Sequence, residues 1–204
     1  MPKTEAEMQI LETRERILNM IQESIRNVDR KYFMLKTIYK PNSIVRERVF
    51  CYELYHQIRI HHDNNTITLN GEIDKAGHRN FKKQDRKNPD FVFHIPGQME
   101  GNTAVVEVKG KLVEKDVIKD FNTLTLFVKK YDYKFGIFIL YNHSLEELKK
   151  ILIKNQCKIR YTEVFDKIDI ISAVNNETIT RTTLLDLFGN QLVPSRRNGD
   201  SHRF

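Results

Sequence analysis

Residues 89–109 of the chain read PDFVFHIPGQMEGNTAVVEVK, two short apolar stretches separated by a segment with one proline and two glycines. The stretches at 90–95 and 103–109 carry the β-branched and aromatic residues that favour strands. The segment at 96–101, PGQMEG, has the composition of a turn. The pattern predicts a β-hairpin, and this hairpin decides the fold.

The register of the hairpin decides which of its side chains share a face. If Asp90 lies opposite Glu107, then Ile95 lies opposite Asn102 and the turn takes up the residues between them. Because side chains alternate along a strand, this register brings Asp90, Glu107 and Lys109 together on one face of the sheet. A shift by one residue would bury these charges among apolar side chains.

The flanking sequence predicts an α/β domain. Apolar residues recur at helical spacing in 5–28, 43–60, 115–130 and 144–153. Strands are predicted at 66–73 and at 135–140, with weaker candidates at 159–161 and 168–173, and residues 32–39 could be a strand or a helical turn. A hairpin followed by a crossover helix predicts an α/β fold with a mixed central sheet flanked by helices.

Three parts are expected along the chain. Residues 1–40 form an N-terminal helical segment, residues 41–193 form the α/β domain, and residues 194–204 form a disordered tail. Within the domain, residues 74–88 (DKAGHRNFKKQDRKN) are strongly basic and have no apolar face, which predicts a loop.

The composition limits the classes of protein that fit. The chain has 204 residues, 40% of them hydrophobic and 30% charged, which is typical of a globular domain. No apolar stretch is long enough to span a bilayer and the N-terminus lacks the apolar core of a signal peptide, so we expect a cytoplasmic protein without a membrane partner. Cys51 and Cys157 match no metal-binding spacing. The net charge of +7 favours a polyanionic partner.

The charged residues of the hairpin interrupt apolar strands, where a charge is costly without a partner. Two carboxylates on adjacent strands, Asp90 and Glu107, repel each other unless a cation lies between them. Mg²⁺ suits such a site because it is bound by one or two carboxylates, water and substrate phosphate. A lysine nearby can orient or help to deprotonate a water molecule, which predicts phosphodiester hydrolysis. The alternative is a half-exposed strand on which Glu107 and Lys109 are solvated. The two-residue spacing of these charges, taken by itself, favours this alternative.

The pattern Pro89-Asp90, followed after a hairpin by Glu107-Val108-Lys109, resembles the PD-(D/E)XK nuclease superfamily. The order of elements is similar too, over about residues 43–141: a leading helix, three strands, a crossover helix and a fourth strand. The resemblance implies a restriction-endonuclease-like fold.

The resemblance also implies a role for each residue of the motif. Asp90, Glu107 and the carbonyl of Val108 would bind Mg²⁺, for which Mn²⁺ can substitute. Lys109 would act on the attacking water or on the scissile phosphate. The ordered context around the motif carries more weight than the match itself.

A glutamate on the leading helix often completes the site in this superfamily. Glu47, followed by Arg48 and apolar residues, looks like the leading helix of archaeal Holliday-junction resolvases and restriction-like relatives, so it is preferred as the fourth catalytic residue. Glu53, on a different face of the helix, is the rival. Two secondary candidates are Glu72, a substitute metal ligand or a solvated strand end, and His94, which faces the same way as Asp90.

Two other groups of charged residues are less clearly assigned. Four cations of the basic loop could contact phosphate without reading sequence, or could simply solubilise the loop: Lys82, Lys83, Arg86 and Lys87. On the crossover helix, no spacing argument chooses among Lys115, Lys119 and Asp120, so none is assigned to the site.

Together these observations predict a magnesium-dependent nuclease, a hydrolase that cuts DNA in preference to RNA. A role in genome defence or restriction follows from the resemblance alone, and cutting two strands with one site per chain favours a homodimer. Two alternatives stay open. One is a protein of the same fold that binds nucleic acid without cutting it, and the other is a subunit of a larger defence or repair complex.

Overall fold

A computed structural model of the chain describes residues 3–38, 42–62, 66–72 and 82–189. The helices are α1 Glu5–Asn27, α2 Arg30–Phe33, α3 Glu47–His61, α4 Glu114–Lys130, α5 Leu145–Lys154 and α6 Leu184–Phe188. The strands are β1 Thr68–Gly71, β2 Phe91–His94, β3 Asn102–Lys109, β4 Phe135–Tyr141, β5 Ile168–Ala173 and β6 Ile179–Thr183.

The strands of the described residues form one sheet, in which neighbours in the chain are neighbours in space, from β1 to β6. Strands β1, β2 and β3 run antiparallel, β4 and β5 continue parallel to β3, and β6 is antiparallel to β5. Helix α4 makes the crossover between β3 and β4. The predicted α/β class with a mixed sheet flanked by helices is therefore confirmed.

The predicted hairpin forms between β2 and β3. Phe91 pairs with Val106 and Phe93 with Ala104, a register that sets Asp90 opposite Glu107 at the next position, as expected. At the other end of β2, a bulge between Phe93 and His94 pairs His94 with Asn102. The expected pairing of Ile95 with Asn102 is therefore wrong by one residue, because the bulge takes up an extra residue of β3.

Helices cover both faces of the sheet. α1 and α3 pack on the face that carries Phe91, Val106 and Val108. α4, α5 and α6 pack on the opposite face, which carries Val105 and, two residues along the same strand, Glu107. Glu107 is only 8% exposed, so the alternative of a solvated residue on a half-exposed strand is wrong for it.

The N-terminal helix belongs to the same core as the sheet. Thr4 and Glu7 close its first turn in a capping box, and Ile17, Leu18 and Ile21 are buried in the cluster that contains α3 and the sheet face beneath it. Helix α1 therefore packs directly on α3 and on the sheet.

Other expectations had mixed outcomes. The ambiguous stretch at 32–39 contributes to the helical turn α2, and residues 159–161 are not a strand. Strand β6 and helix α6 were not predicted. Most of the basic loop, residues 74–81, and the tail from residue 190 lie outside the described residues. None of the helices described here is long and apolar enough to cross a membrane.

An ion pair ties α1 to the sheet. Arg14 donates through Nε to Asp169 Oδ2 at 2.7 Å and through Nη2 to Asp169 Oδ1 at 3.0 Å, and Asp169 is 3% exposed. Replacing Arg14 by alanine leaves this carboxylate buried without its partner, so we expect Arg14→Ala to lower the free energy of unfolding by about 3 kcal/mol.

The measurement is urea unfolding, with Arg16→Ala as the matched control. Arg16 lies two residues along the same helix and is exposed, so its removal should change the free energy of unfolding by no more than about 0.5 kcal/mol. Equal effects of the two substitutions would contradict the anchoring role of Arg14.

Candidate active site

Charged side chains from four elements meet where β3 ends. Asp90 immediately precedes β2, while Glu107 and Lys109 lie at the C-terminal end of β3. Glu47 is the first residue of α3, and Asp120 lies in the first half of α4. Helix α3 approaches from one face of the sheet and α4 from the other, so the cluster lies in the gap that they close over the end of the strand.

Asp90 is fixed by the backbone of the neighbouring strand. Its Oδ2 accepts a hydrogen bond of 2.7 Å from the N–H of Val108. Burial raises the pKa of Asp90 to about 6, with a smaller contribution from the negative charge of Glu47, although the hydrogen bond from Val108 acts in the opposite direction. A substantial fraction of Asp90 therefore holds a proton near pH 6 when no cation is bound.

Glu107 is buried beside Asp90, and the nearby charges of Lys119 and Lys109 compensate its negative charge only in part. Its carboxylate makes no hydrogen bond or ion pair with any described residue. Burial raises the pKa of Glu107 well above its ordinary value, and the negative charges of Asp90 and Asp120 raise it further. A buried acid in these surroundings either keeps its proton or requires a cation.

The carbonyl of Val108 lies on the same side of β3 as the Asp90 carboxylate. Continuing the β2–β3 register past Asp90 and Glu107 sets Pro89 opposite Val108, at a position where paired residues of antiparallel strands exchange two hydrogen bonds. Proline has no N–H to donate. The backbone opposite therefore offers no donor to the Val108 carbonyl, while the Val108 N–H is bound by Asp90 instead.

Lys109 is held between two carboxylates. Its Nζ lies 3.2 Å from Glu47 Oε1 and 2.9 Å from Asp120 Oδ2. Burial lowers the pKa of Lys109, but the negative charges and hydrogen bonds of Asp120 and Glu47 outweigh it, so the pKa is raised overall. The amine is therefore protonated at neutral pH and its direction is set from both faces of the sheet.

Glu47 also binds the backbone beyond β3. Its Oε2 accepts a hydrogen bond of 3.2 Å from the N–H of Gly110. A side chain at Gly110 would collide with the ring of Tyr141, which stacks on Phe50 of α3 with the ring centroids 3.9 Å apart. The glycine thus allows the chain to turn close enough to α3 for Glu47 to reach both Gly110 and Lys109.

Asp120 is the member of the cluster that the sequence analysis named but did not assign. It is 1% exposed, and burial raises its pKa despite the neighbouring charge of Lys109. A signal for it exists in the sequence, because Val117, Phe121 and Leu124 place Asp120 on the apolar face of α4, where a carboxylate needs a partner.

The remaining sequence candidates lie apart from this cluster. Glu53 accepts a hydrogen bond from Gln57 of its own helix, so only Glu47 of the two helix glutamates joins the cluster. Glu72 is exposed, and its carboxylate pairs with Arg48 at 3.4 Å. His94 bonds to Asn70 at 2.8 Å, at the far end of β2 and about 13 Å along the strand from Asp90.

The predicted phosphate-contacting cations are exposed: Lys82, Lys83, Arg86 and Lys87. Their segment begins at the C-terminal end of α4, where the hydroxyl of Tyr131 donates to Asp85 Oδ2 at 2.8 Å. Since a helix rises about 1.5 Å per residue, Tyr131 lies about 16 Å along the axis from Asp120. The segment starts far from the acidic cluster, and only its last residues approach Asp90.

The donor set fits a hard divalent cation in part. Among residues 3–38, 42–62, 66–72 and 82–189, no three His, Cys, Asp or Glu side chains are grouped so that they could together hold a metal ion. Asp90 and Glu107 supply two carboxylates, and Val108 supplies a backbone carbonyl on the same side. Oxygen donors of this kind suit Mg²⁺, which usually retains several water ligands.

Comparison with known proteins identifies no relative. No protein-family model, no curated protein and no solved structure matches the chain. The resemblance to PD-(D/E)XK nucleases therefore depends on the residues of the hairpin and on the cluster described above.

Glu107 provides a test of the electrostatics that is independent of any activity. With a folded-state pKa above the ordinary 4.5, ionised Glu107 destabilises the metal-free fold at high pH, and this penalty vanishes as the pH falls toward 4.5. We therefore expect Glu107→Gln to unfold at higher urea concentration than the unsubstituted protein at pH 8 in EDTA, with the difference shrinking at pH 5.

Glu100→Gln is the control, because Glu100 is exposed and the substitution is chemically the same. It should change the free energy of unfolding by no more than about 0.5 kcal/mol at either pH. A Glu107→Gln protein that is less stable than its parent at both pH values would show that Glu107 is not an uncompensated charge.

Proposed function

We propose that the chain is a divalent-metal-dependent nuclease of restriction-endonuclease-like fold, which hydrolyses phosphodiester bonds of DNA in preference to RNA. The proposal depends on one observation, the buried carboxylate of Glu107, which lies beside Asp90 and has no partner among the described residues. Two adjacent acids, one buried and one half-buried, are unfavourable when both are ionised, and a cation between them lowers the penalty.

Asp90, Glu107 and the carbonyl of Val108 would hold the cation, Mg²⁺ with Mn²⁺ as a substitute. The hydrogen bond from Val108 fixes one oxygen of Asp90 and leaves its Oδ1 available. A divalent cation bound there would supply positive charge for the phosphate and lower the pKa of a water molecule.

Lys109 would stabilise the negative charge that develops on the scissile phosphate. Its raised pKa keeps the amine protonated, so it acts as a cation and hydrogen-bond donor rather than as a base. Glu47 and Asp120 hold it from opposite faces of the sheet, which makes them positioning residues. Removing either acid should misdirect the amine.

Three further features support the proposal. A leading helix, a hairpin, a crossover helix and a parallel strand follow one another in the order implied by the resemblance. The net charge of +7 suits a polyanionic substrate even though the site itself is acidic. Four carboxylates meet at the end of β3, where a metal would bind: those of Glu47, Asp90, Glu107 and Asp120.

Cation binding can be tested without substrate. We expect Mg²⁺ or Mn²⁺ to raise the melting temperature of the unsubstituted protein, because the cation binds the folded chain and relieves the repulsion between Asp90 and Glu107. Each 1 kcal/mol of stabilisation corresponds to a shift of about 2–4 °C in a protein of this size. The same titration should leave Glu107→Gln unchanged, and a melting temperature that does not depend on the cation in either protein would contradict the metal site.

Cleavage is the direct test of the nuclease activity. We expect the protein to cut supercoiled plasmid in Mg²⁺ and to lose the activity in EDTA. Asp90→Asn, Glu107→Gln and Lys109→Gln should each lower the rate by about 100-fold or more, since each removes a group that stabilises charge on the reacting phosphate. Linear and single-stranded DNA and an RNA of the same sequence define the substrate preference.

The two glutamates of α3 form a matched pair of controls. Glu47→Gln should slow cleavage because the amide no longer balances the charge of Lys109, whereas Glu53→Gln should leave the rate unchanged because Glu53 bonds to Gln57 and does not join the cluster. Metal-dependent binding without cutting would favour the catalytically inactive binding protein. Cutting that appears only when a partner is added would favour the subunit of a larger complex.

A further inference from the structure

A groove opens beside the acidic cluster, between the first turns of α3 and α4. Its volume is about 490 Å³. It is lined by residues Val45, Arg46, Glu47, Arg48, Val49, Lys109, Lys111, Val113 and Asp116. We call it the basic groove. Glu47 and Lys109 belong both to the groove and to the cluster, so the groove leads directly away from the residues assigned to cleavage.

Cations outnumber acids along the basic groove, and two of them form no ion pair with a residue that the structure describes. Lys109 is neutralised by Glu47 and Asp120, and Arg48 faces Glu72 at 3.4 Å. Arg46 and Lys111 are exposed, and neither forms an ion pair with any described residue. These two side chains therefore leave uncompensated positive charge on opposite walls of the groove, one before α3 and one before α4.

The helix ends that border the groove add to this charge. Helices α3 and α4 begin at Arg46 and Val113 without a side-chain cap. The other helices of the described residues are capped by Thr4, Asp29, Ser144 and Thr183. An uncapped first turn keeps backbone N–H groups available to an anion and carries partial positive charge, although Glu47, Glu114 and Asp116 lie in these two turns and offset part of that charge.

We propose that the basic groove binds the phosphodiester backbone of the nucleic acid next to the phosphate that is cut, with Arg46 and Lys111 each contacting one phosphate. This inference rests on the proposed nuclease function, because that function sets the scissile phosphate at Lys109. A polymer of phosphates fits better than a single anion, since the charges are distributed along a groove that continues from the cluster. It also moves the main contact surface away from Lys82 and Lys83.

The test is binding of a labelled DNA duplex, measured by fluorescence anisotropy at several salt concentrations with Ca²⁺ in place of Mg²⁺. We expect the double variant Arg46→Gln, Lys111→Gln to bind at least about tenfold more weakly and to reduce the salt slope by about two, since each lost phosphate contact lowers the slope by about one. Arg16→Gln, Lys150→Gln removes the same charges from exposed sites on α1 and α5 and should bind as the parent does.

Three results would overturn the inference. Equal losses in the groove variant and in the Arg16, Lys150 control would mean that only net charge matters. A larger loss in Lys82→Gln, Lys83→Gln would mean that this segment holds the backbone instead. Competition by poly-glutamate as strong as by DNA would also contradict it, because the groove would then select carboxylates rather than phosphodiesters.

The cleavage assay separates this inference from the proposed function. If the parent protein binds DNA through the basic groove but never cuts it, the groove is correct and the hydrolytic role is wrong. If the parent cuts DNA and the groove variant binds and cuts equally well, the function is correct and the groove is wrong. Circular dichroism and melting of each variant confirm that the fold is retained.

Discussion

The hydrogen bond from the Val108 N–H to Asp90 Oδ2 joins β2 to β3 where their ladder stops. Pro89, the residue before Asp90, has no N–H and cannot donate a hydrogen bond to β3. The carboxylate of Asp90 takes the Val108 N–H that a continuing strand would have bound through its carbonyl. Asp90 is thereby held against the sheet beside Glu107. The two acids are neighbours because the backbone pairing of β2 with β3 ends at this point.

Helices on both faces then make this pair costly. Packing of α3 and α4 excludes water from the end of β3, and the lower polarity raises the pKa of both acids. The charges of Lys119 and Lys109 offset only part of the cost at Glu107, because neither lysine forms an ion pair with its carboxylate and Glu47 and Asp120 already hold the Lys109 amine. Among the described residues, the cluster therefore pairs Lys109 with Glu47 and Asp120 and leaves Asp90 and Glu107 without an ion pair, which is the arrangement that favours an added divalent ion.

The order of helices and strands and the antiparallel hairpin could be predicted because each depends on local patterns. The β-branched residues at 103–109, the apolar stretch at 135–140 and the helical spacing at 144–153 each involve residues that are close in the sequence. The bulge at Phe93 and the edge strand β6 could not be predicted in the same way. A bulge depends on how two strands fit together, and β6, ITRTT, has little apolar character because it pairs at the edge.

The sequence by itself determined that Asp90, Glu107 and Lys109 belong to one hairpin, since side-chain alternation and register are properties of adjacent strands. Only the tertiary structure decided that Glu47 rather than Glu53 meets them, that Asp120 completes the cluster, and that Arg46 and Lys111 border a groove beside it. Helical periodicity states which residues share a face of one helix. It does not state which turn of that helix lies over the end of a strand, because that position is set by the packing of the whole apolar face against the sheet.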